Sequence, residues 1–283
     1  MEYRVTGAGV VARGLADFSL NDTLTCGQCF RWRNIGGGAF EGVAFGRHLT
    51  ISQDNTNSII FHDISEEEFL SVWREYFDLD FDYGAAKRKI SEHSRILKEA
   101  CSFAPGIRIL RQEPFEALCS FILSQNNNIP RIEGIVRRLC ECFGEAIGED
   151  QWSFPSVERL SALREEDLAP IRCGFRAKYL LDAAKKVASG KIDLEGIAKL
   201  PLDEARKALM QIHGVGPKVA DCTLLYGLHR LDAFPQDIWI KRAVQAFFPE
   251  GFPSVLEPIA GLAQQYLFHY CRKNPDVLVL PEE

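Results

Sequence analysis

The sequence predicts an α+β protein in which an N-terminal antiparallel β-sheet unit is followed by an all-helical unit, and three observations carry that prediction. Residues 1 to about 62 hold short segments rich in aromatic and β-branched residues, each broken by turn signals. From Ser65 onward the apolar residues recur at helical spacing. The apolar fraction, 46% of 283 residues, is enough to fill one large core or two ordinary ones. No long uninterrupted apolar run is present, so no membrane-spanning helix and no membrane partner are expected. The N-terminus contains acid and lacks the pattern of a signal or transit peptide, so a soluble, intracellular protein is expected.

Taken in order, "CFRWRN", "FEGVAFG", "HLTISQ" and "SIIFHD" read as strands, with "NIGGGAF" and "QDNTNS" as the turns between them. Ser65 and Glu68 form a capping-box pattern, and Phe69, Val72, Trp73 and Phe77 mark one face of the helix it opens. Further helices are expected over 84–101, 114–125, 129–143, 176–188, 202–212, 217–227, 236–247 and 256–272. The division is placed at 1–100 and 101–283, with the boundary between about 80 and 110 and the helix at 84–101 free to pack on either side.

The net charge of −6 argues against a nucleic-acid partner when taken alone. Screening confines each charge to roughly 8 Å at physiological salt, however, so local distribution matters more than the sum. Acids cluster at 65–68, 165–167 and 281–283, whereas Arg131, Arg137, Arg138, Arg172, Arg176 and Lys178 lie elsewhere, leaving room for a basic face. The nine cysteines are odd in number and irregular in spacing. They suit neither a disulfide framework nor a zinc site, and Cys271 has no neighbouring cysteines of the kind an iron–sulfur loop needs.

The stretch "QIHGVGPKVADC" joins two expected helices. Gly214 and Gly216 permit a tight turn, and Pro217 suits the first position of the second helix. Such a hairpin, with bare amides at a helix N-terminus, can approach a phosphate closely. From Gly-x-Gly alone, a plain helical turn is an equally good reading. Lys218 tips the balance, because the first turn of a helix disfavours a cation and favours a neutral, nucleophilic amine. Cys222 follows one turn later on the same face. Asp237, in "FPQDIWIKRAV", can cap the next helix while presenting a carboxylate. A lysine that attacks carbon and an aspartate that stabilises positive charge or moves a proton are the pairing a Schiff-base enzyme needs.

These residues resemble the helix–hairpin–helix DNA glycosylase superfamily, and more narrowly the bifunctional 8-oxoguanine DNA glycosylase/lyase of the eukaryotic type. The likeness runs in order through "CGQCFRW", "SQNNNIPRIEGIVRRLCECFG", "CGFRAKYL", "GVGPKVADC", "PQD" and "GLAQQYLF". It implies excision of 8-oxoguanine, preferably opposite cytosine, from double-stranded DNA, followed by strand nicking through β-elimination. By position, Lys218 resembles the nucleophile and Asp237 the supporting acid. Cys222 and Phe268 resemble the pair that sandwiches the flipped base, Gly27 the residue whose carbonyl accepts N7–H, and Gln264 the reader of the Watson–Crick edge. Asn126 resembles the residue that fills the gap in the duplex, and Phe175 the wedge beside it. Arg131 and Arg176 resemble the arginines holding the orphaned cytosine, and Gly214 and Gly216 belong to the DNA-binding hairpin. The resemblance also implies a monovalent or calcium-type cation on the carbonyls of Met210, Ile212 and Val215, with no cofactor required for catalysis and no iron–sulfur cluster. It implies a monomer acting on chromosomal DNA, cytoplasmic in a bacterium or nuclear in a eukaryote. Phe175, Trp239, Tyr226 and His213 stand where the family often has tyrosine, histidine, methionine and proline. Two rival readings are an alkylated-base glycosylase on the same scaffold, and a non-catalytic DNA-binding module that keeps the hairpin only to hold phosphate. Lys218 argues against the first, and Lys218 with Asp237 against the second.

Overall fold

The computed structural model describes residues 1–54 and 58–278. The turn expected at "QDNTNS" lies partly outside the described residues, and the acidic stretch at 281–283 lies wholly outside them. Strands β1 (Glu2–Thr6), β2 (Gly9–Arg13), β3 (Trp32–Gly36), β4 (Ala39–Ala44), β5 (Arg47–Gln53) and β6 (Ile59–His62) pair antiparallel in the order β1-β2-β6-β5-β4-β3. Period-two alternation sends Leu49 and Ile51 of β5 inward, and Ile51 pairs with Phe61 of β6. Helix α1 (Leu20–Thr25) interrupts the strand-rich segment, where no helix was expected. Ser19 starts it by accepting the Asp22 amide at 3.1 Å.

Past the sheet, Ser65 accepts the Glu68 amide at 3.1 Å and caps α2 (Glu66–Glu68) as its spacing predicts. The Glu68 carboxylate turns to Trp73, accepting its indole N–H at 3.0 Å. A π-helical turn at Phe69–Trp73 then runs into α3 (Arg74–Tyr76). Phe69, Trp73 and Phe77 pack with Val10, Leu49, Ile51 and Phe61 to form the core under the sheet.

The helical unit is built from α4 (Tyr83–Ser91), α5 (Arg95–Phe103), α6 (Pro114–Leu123), α7 (Ile129–Phe143), α8 (Val157–Ser161), α9 (Ala177–Ala188), α10 (Leu194–Ala198), α11 (Leu202–Leu209), α12 (Pro217–Tyr226), α13 (Ile238–Phe247) and α14 (Ala260–Lys273). A small hairpin, β7 (Ala146–Gly148) and β8 (Gln151–Trp152), follows α7. The single helix expected over 84–101 is two helices. Ser94 is extended, and its hydroxyl caps α5 by accepting the Leu97 amide, which breaks the run. Tyr83, Ile90 and Leu97 of α4 and α5 pack in the helical core.

The two cores exchange residues. Cys26 and Phe30, from the N-terminal segment, lie in the helical core, and Leu110 lies in the core under the sheet. The segment around Gly27 is thereby held at the junction, against α14, where no helix or strand constrains its backbone.

Candidate active site

The hairpin between α11 and α12 is shaped by one close contact. Gly214 has φ +79°, and a Cβ there would meet the Tyr179 ring at 2.4 Å, so only glycine fits. Asp182 on α9 accepts the His213 amide at 2.6 Å and Lys186 Nζ at 2.7 Å, while Lys186 also donates to the Gln211 carbonyl at 2.7 Å. Burial acts to raise the Asp182 carboxyl, but the bonds from Lys186 and the His213 amide prevail and hold it below the ordinary carboxylate value. Gly216 caps α12 with open space where a side chain would stand, leaving the first amides of α12 bare.

Lys218 occupies the first turn of α12. Its Nζ donates to Ser124 Oγ at 3.2 Å and lies 5.3 Å over the Phe121 ring. It makes none of the ion pairs found among the described residues. Asp237 caps α13 by accepting the Ile240 amide at 2.9 Å, as its position after Pro235 predicts. Lys218 and Asp237 line one cleft of about 2430 Å³ together with Gly27, Phe121, Asn126 and Phe268. Cys222 is buried beneath Lys218 on the same helix, and burial pushes its thiol up to about 11. It is therefore neutral and no competing nucleophile.

Gly27 has φ +92°, and a Cβ there would stand 3.0 Å from Ile129 Cδ1, 3.2 Å from Arg272 Nη1 and 3.6 Å from Phe268 Cε1. The structure thus brings Gly27 and Phe268 together across 241 positions of sequence. The loop carrying Gly27 is tightly held. Gln28 donates to the Thr23 and Arg108 carbonyls at 2.9 and 2.7 Å and accepts the Leu110 amide at 3.0 Å. Its own carbonyl accepts from Gln112 at 2.8 Å. The Cys26 carbonyl accepts from Gln265 Nε2 at 3.3 Å, Gln265 Oε1 accepts from the Tyr226 hydroxyl, and Tyr226 stacks on Phe121 at 5.1 Å. A continuous set of contacts therefore links the Gly27 loop to the ring beneath Lys218. Gln264, one turn before Phe268, is buried, and its Oε1 has no hydrogen-bond partner among the described residues. Gln264 and Cys222 are not among the residues lining the cleft.

Asn126 sits exposed on the loop after α6, with φ +48°. Asn128 caps α7 by accepting the Arg131 amide at 3.1 Å, and Asn127 donates to the Leu123 carbonyl at 3.1 Å. Arg176 is only 3% exposed. Its guanidinium donates to the carbonyls of Gln125, Asn126 (3.0 Å) and Cys173 (3.1 Å), so it clamps the Asn126 loop rather than offering a free fork. It also lies 4.5 Å over Phe175, which is 49% exposed. Arg131 is exposed at the start of α7. Of the basic residues singled out in the sequence only Arg137 lines the cleft, where Lys218, Lys241, Arg272 and Lys273 stand beside Glu133, Glu141 and Asp237. The residues that local sequence did not reveal are Ser124, Phe121, Gln265 and Arg272. For Gln265 a weak signal existed, a second glutamine in the largely apolar run "GLAQQYLF".

Among the described residues no group of His, Cys, Asp and Glu could hold a metal. At the hairpin, the Ile212 carbonyl accepts the Val215 amide at 3.0 Å, while the Met210 and Val215 carbonyls accept no bond among the described residues. Such an oxygen-only donor set suits a hard cation. No described helix is long and apolar enough to cross a membrane.

Comparison with known proteins matches residues 10–118 to the N-terminal domain of 8-oxoguanine DNA glycosylase and residues 119–251 to the HhH-GPD superfamily base excision DNA repair protein. The N-glycosylase/DNA lyase of Saccharomyces cerevisiae is 34% identical over 267 residues, which cover 83% of this chain and 69% of that one. The N-glycosylase/DNA lyase OGG1 of Arabidopsis thaliana is 32% identical over 89% of this chain and 77% of its own. The structure of Clostridium acetobutylicum 8-oxoguanine glycosylase/lyase bound to double-stranded DNA containing cytosine opposite 8-oxoG superposes with a TM-score of 0.90. It is 38% identical, covering 97% of this chain and 99% of that one.

Proposed function

The chain belongs to the 8-oxoguanine N-glycosylase/DNA lyase family, and from that premise we propose how its own residues divide the work. The protein is a DNA glycosylase/lyase of base excision repair, acting on 8-oxoguanine in double-stranded DNA. Lys218 Nζ, held by Ser124, attacks C1′ of the damaged nucleotide as the N-glycosidic bond breaks and the base departs. Asp237 supports the positive charge that develops on the sugar. The amine passes one proton to the departing base, and the ring oxygen takes one up as the sugar ring opens, leaving a protonated Schiff base. Loss of a proton from C2′ then expels the 3′ phosphate by β-elimination, and water releases Lys218.

Before chemistry, the base leaves the stack, at a cost of a few kcal/mol. It lies against Phe268 with Cys222 on its other side, Gly27 accepts N7–H, and Gln264 reads the Watson–Crick edge. Asn126 and Phe175 fill the duplex, and Arg131 faces the orphaned base. For Arg176 to join it, the guanidinium would exchange loop carbonyls for the cytosine edge, and this favours cytosine opposite the lesion. Gly214 and Gly216 bring the hairpin amides to a phosphate. A cation held by the Met210, Ile212 and Val215 carbonyls would add positive charge beside that phosphate, and no step of the reaction runs through it. The protein acts as a monomer on chromosomal DNA.

The observation that carries this reading is a lysine that makes none of the ion pairs found among the described residues, in the first turn of a helix, lining one cleft with Asp237, Gly27 and Phe268. The test is a duplex with one 8-oxoguanine opposite cytosine, treated with the protein and then borohydride. A covalent adduct is expected, and Lys218→Gln should abolish both it and base release. Base release that persists in Lys218→Gln would sink the assignment.

A further inference from the structure

Arg272 lies one turn beyond Phe268 on α14, and helical side chains lean toward the N-terminus of their helix. Its guanidinium carbon sits 5.3 Å from the centre of the Phe268 ring, and its Nη1 is 3.2 Å from where a Gly27 Cβ would stand. It lines the same cleft as Lys218 and Asp237. It makes none of the ion pairs found among the described residues. Its recorded hydrogen bond is a long one, from Nη2 to the Thr25 carbonyl at 3.4 Å. A partly buried cation is normally paired, because removing charge from water is costly. Here a planar fork of donors stands open beside the residue that carries the recognition carbonyl.

We propose that Arg272 is a specificity-determining residue that donates a hydrogen bond to the C8 carbonyl oxygen of the flipped oxidised purine, beside the Gly27 carbonyl. The proposal rests on the base-excision reading given above. Along one edge, 8-oxoguanine presents O6, N7–H and O8, which are acceptor, donor and acceptor. Gly27 supplies an acceptor and Arg272 an adjacent donor, so the pair matches N7–H and O8. Guanine has a lone pair at N7 and a C–H at position 8, and mismatches both groups. A ring-opened formamidopyrimidine keeps an N–H and a formyl oxygen on that side and is accepted. The other acceptor that a cation here could take is a backbone phosphate. That contact would act whatever the base, so the two are separable.

The experiment compares wild type with Arg272→Met, which keeps an apolar stem over Phe268, and Arg272→Lys, which keeps a charged donor. Two duplexes of the same sequence are used, one with 8-oxoguanine opposite cytosine and one with a preformed abasic site. Single-turnover excision is followed on the first and borohydride trapping on the second. The expected result is an excision rate lowered about 10- to 100-fold in Arg272→Met, as for a lost hydrogen bond to a charged donor. Arg272→Lys should recover part of it, and trapping at the abasic site should not change. An equal loss on both duplexes would overturn the proposal, pointing to a phosphate contact if the salt dependence also flattens and to a packing role if the unfolding midpoint falls. An active wild type matched by Arg272→Met would overturn the role of Arg272 alone. A wild type inactive on 8-oxoguanine would overturn both this proposal and the reading beneath it.

Discussion

Single residues around the cleft act through what holds them. Tyr226 and Gln265 link the Cys26 carbonyl to Phe121, the ring beneath Lys218. Tyr226→Phe keeps the stack and removes the hydroxyl, leaving Gln265 Oε1 buried without a donor at a cost of about 1–3 kcal/mol. Urea denaturation should show that loss, and base excision should slow while trapping at an abasic site is preserved. An unchanged denaturation midpoint would show that the hydroxyl anchors nothing. These two residues were not legible as partners. They lie 39 positions apart, on α12 and α14, and no local pattern ties an amide to a phenol at that distance.

At the scale of elements, the hairpin and the Asn126 loop are the parts proposed to meet DNA, and each is braced from behind. Gly214→Ala would force a Cβ into the Tyr179 ring at a left-handed backbone position, where strain alone costs about 1–2 kcal/mol. The hairpin should shift, and affinity for a duplex carrying a non-cleavable abasic analogue should fall by roughly tenfold or more. Asp182→Asn keeps an acceptor for the His213 amide but removes the charge that holds Lys186. A milder loss in the same binding assay is expected, and equal losses in the two variants would contradict this ranking. The helix boundaries here were legible because they are local chemistry. Pro217 opens α12 and Asp237 caps α13 where the sequence places them. The clamp by Arg176 was not legible, since its acceptors, the carbonyls of Gln125 and Asn126, lie about 50 residues earlier.

At the scale of the whole molecule, the junction between the two cores holds a buried histidine. His229 Nε2 lies 3.2 Å from Asp78 Oδ2, outside hydrogen-bond geometry. Burial first, and then Arg111, lower its pKa from 6.5 to about 4 despite Asp78. His269 is lowered to about 4 as well, by burial and then by Arg272 and Lys273. The unfolded chain takes up protons at these residues that the folded chain refuses. Stability is therefore full above pH 6.5 and falls as pH drops from 6.5 toward 4, by on the order of 2–3 kcal/mol for each histidine. Denaturation midpoints measured between pH 7 and 4.5 should show the slope, and His229→Gln should flatten it. A slope unchanged in that variant would place the effect elsewhere.

By itself the sequence determined the local elements on which the proposed chemistry rests. Gly-x-Gly followed by Pro217 and Lys218, Asp237 as a cap, and the shift from period two to helical spacing near Ser65 are short-range patterns, and backbone geometry and capping act over a few residues. Only the tertiary structure decided what faces what. It set Gly27 against Phe268 and Arg272, seated α4 and α5 in the helical core, and turned Arg176 inward onto the loop it supports. Those outcomes follow from packing and from satisfying buried polar groups between segments far apart in the chain, and such contacts leave no periodic trace in the residues that make them.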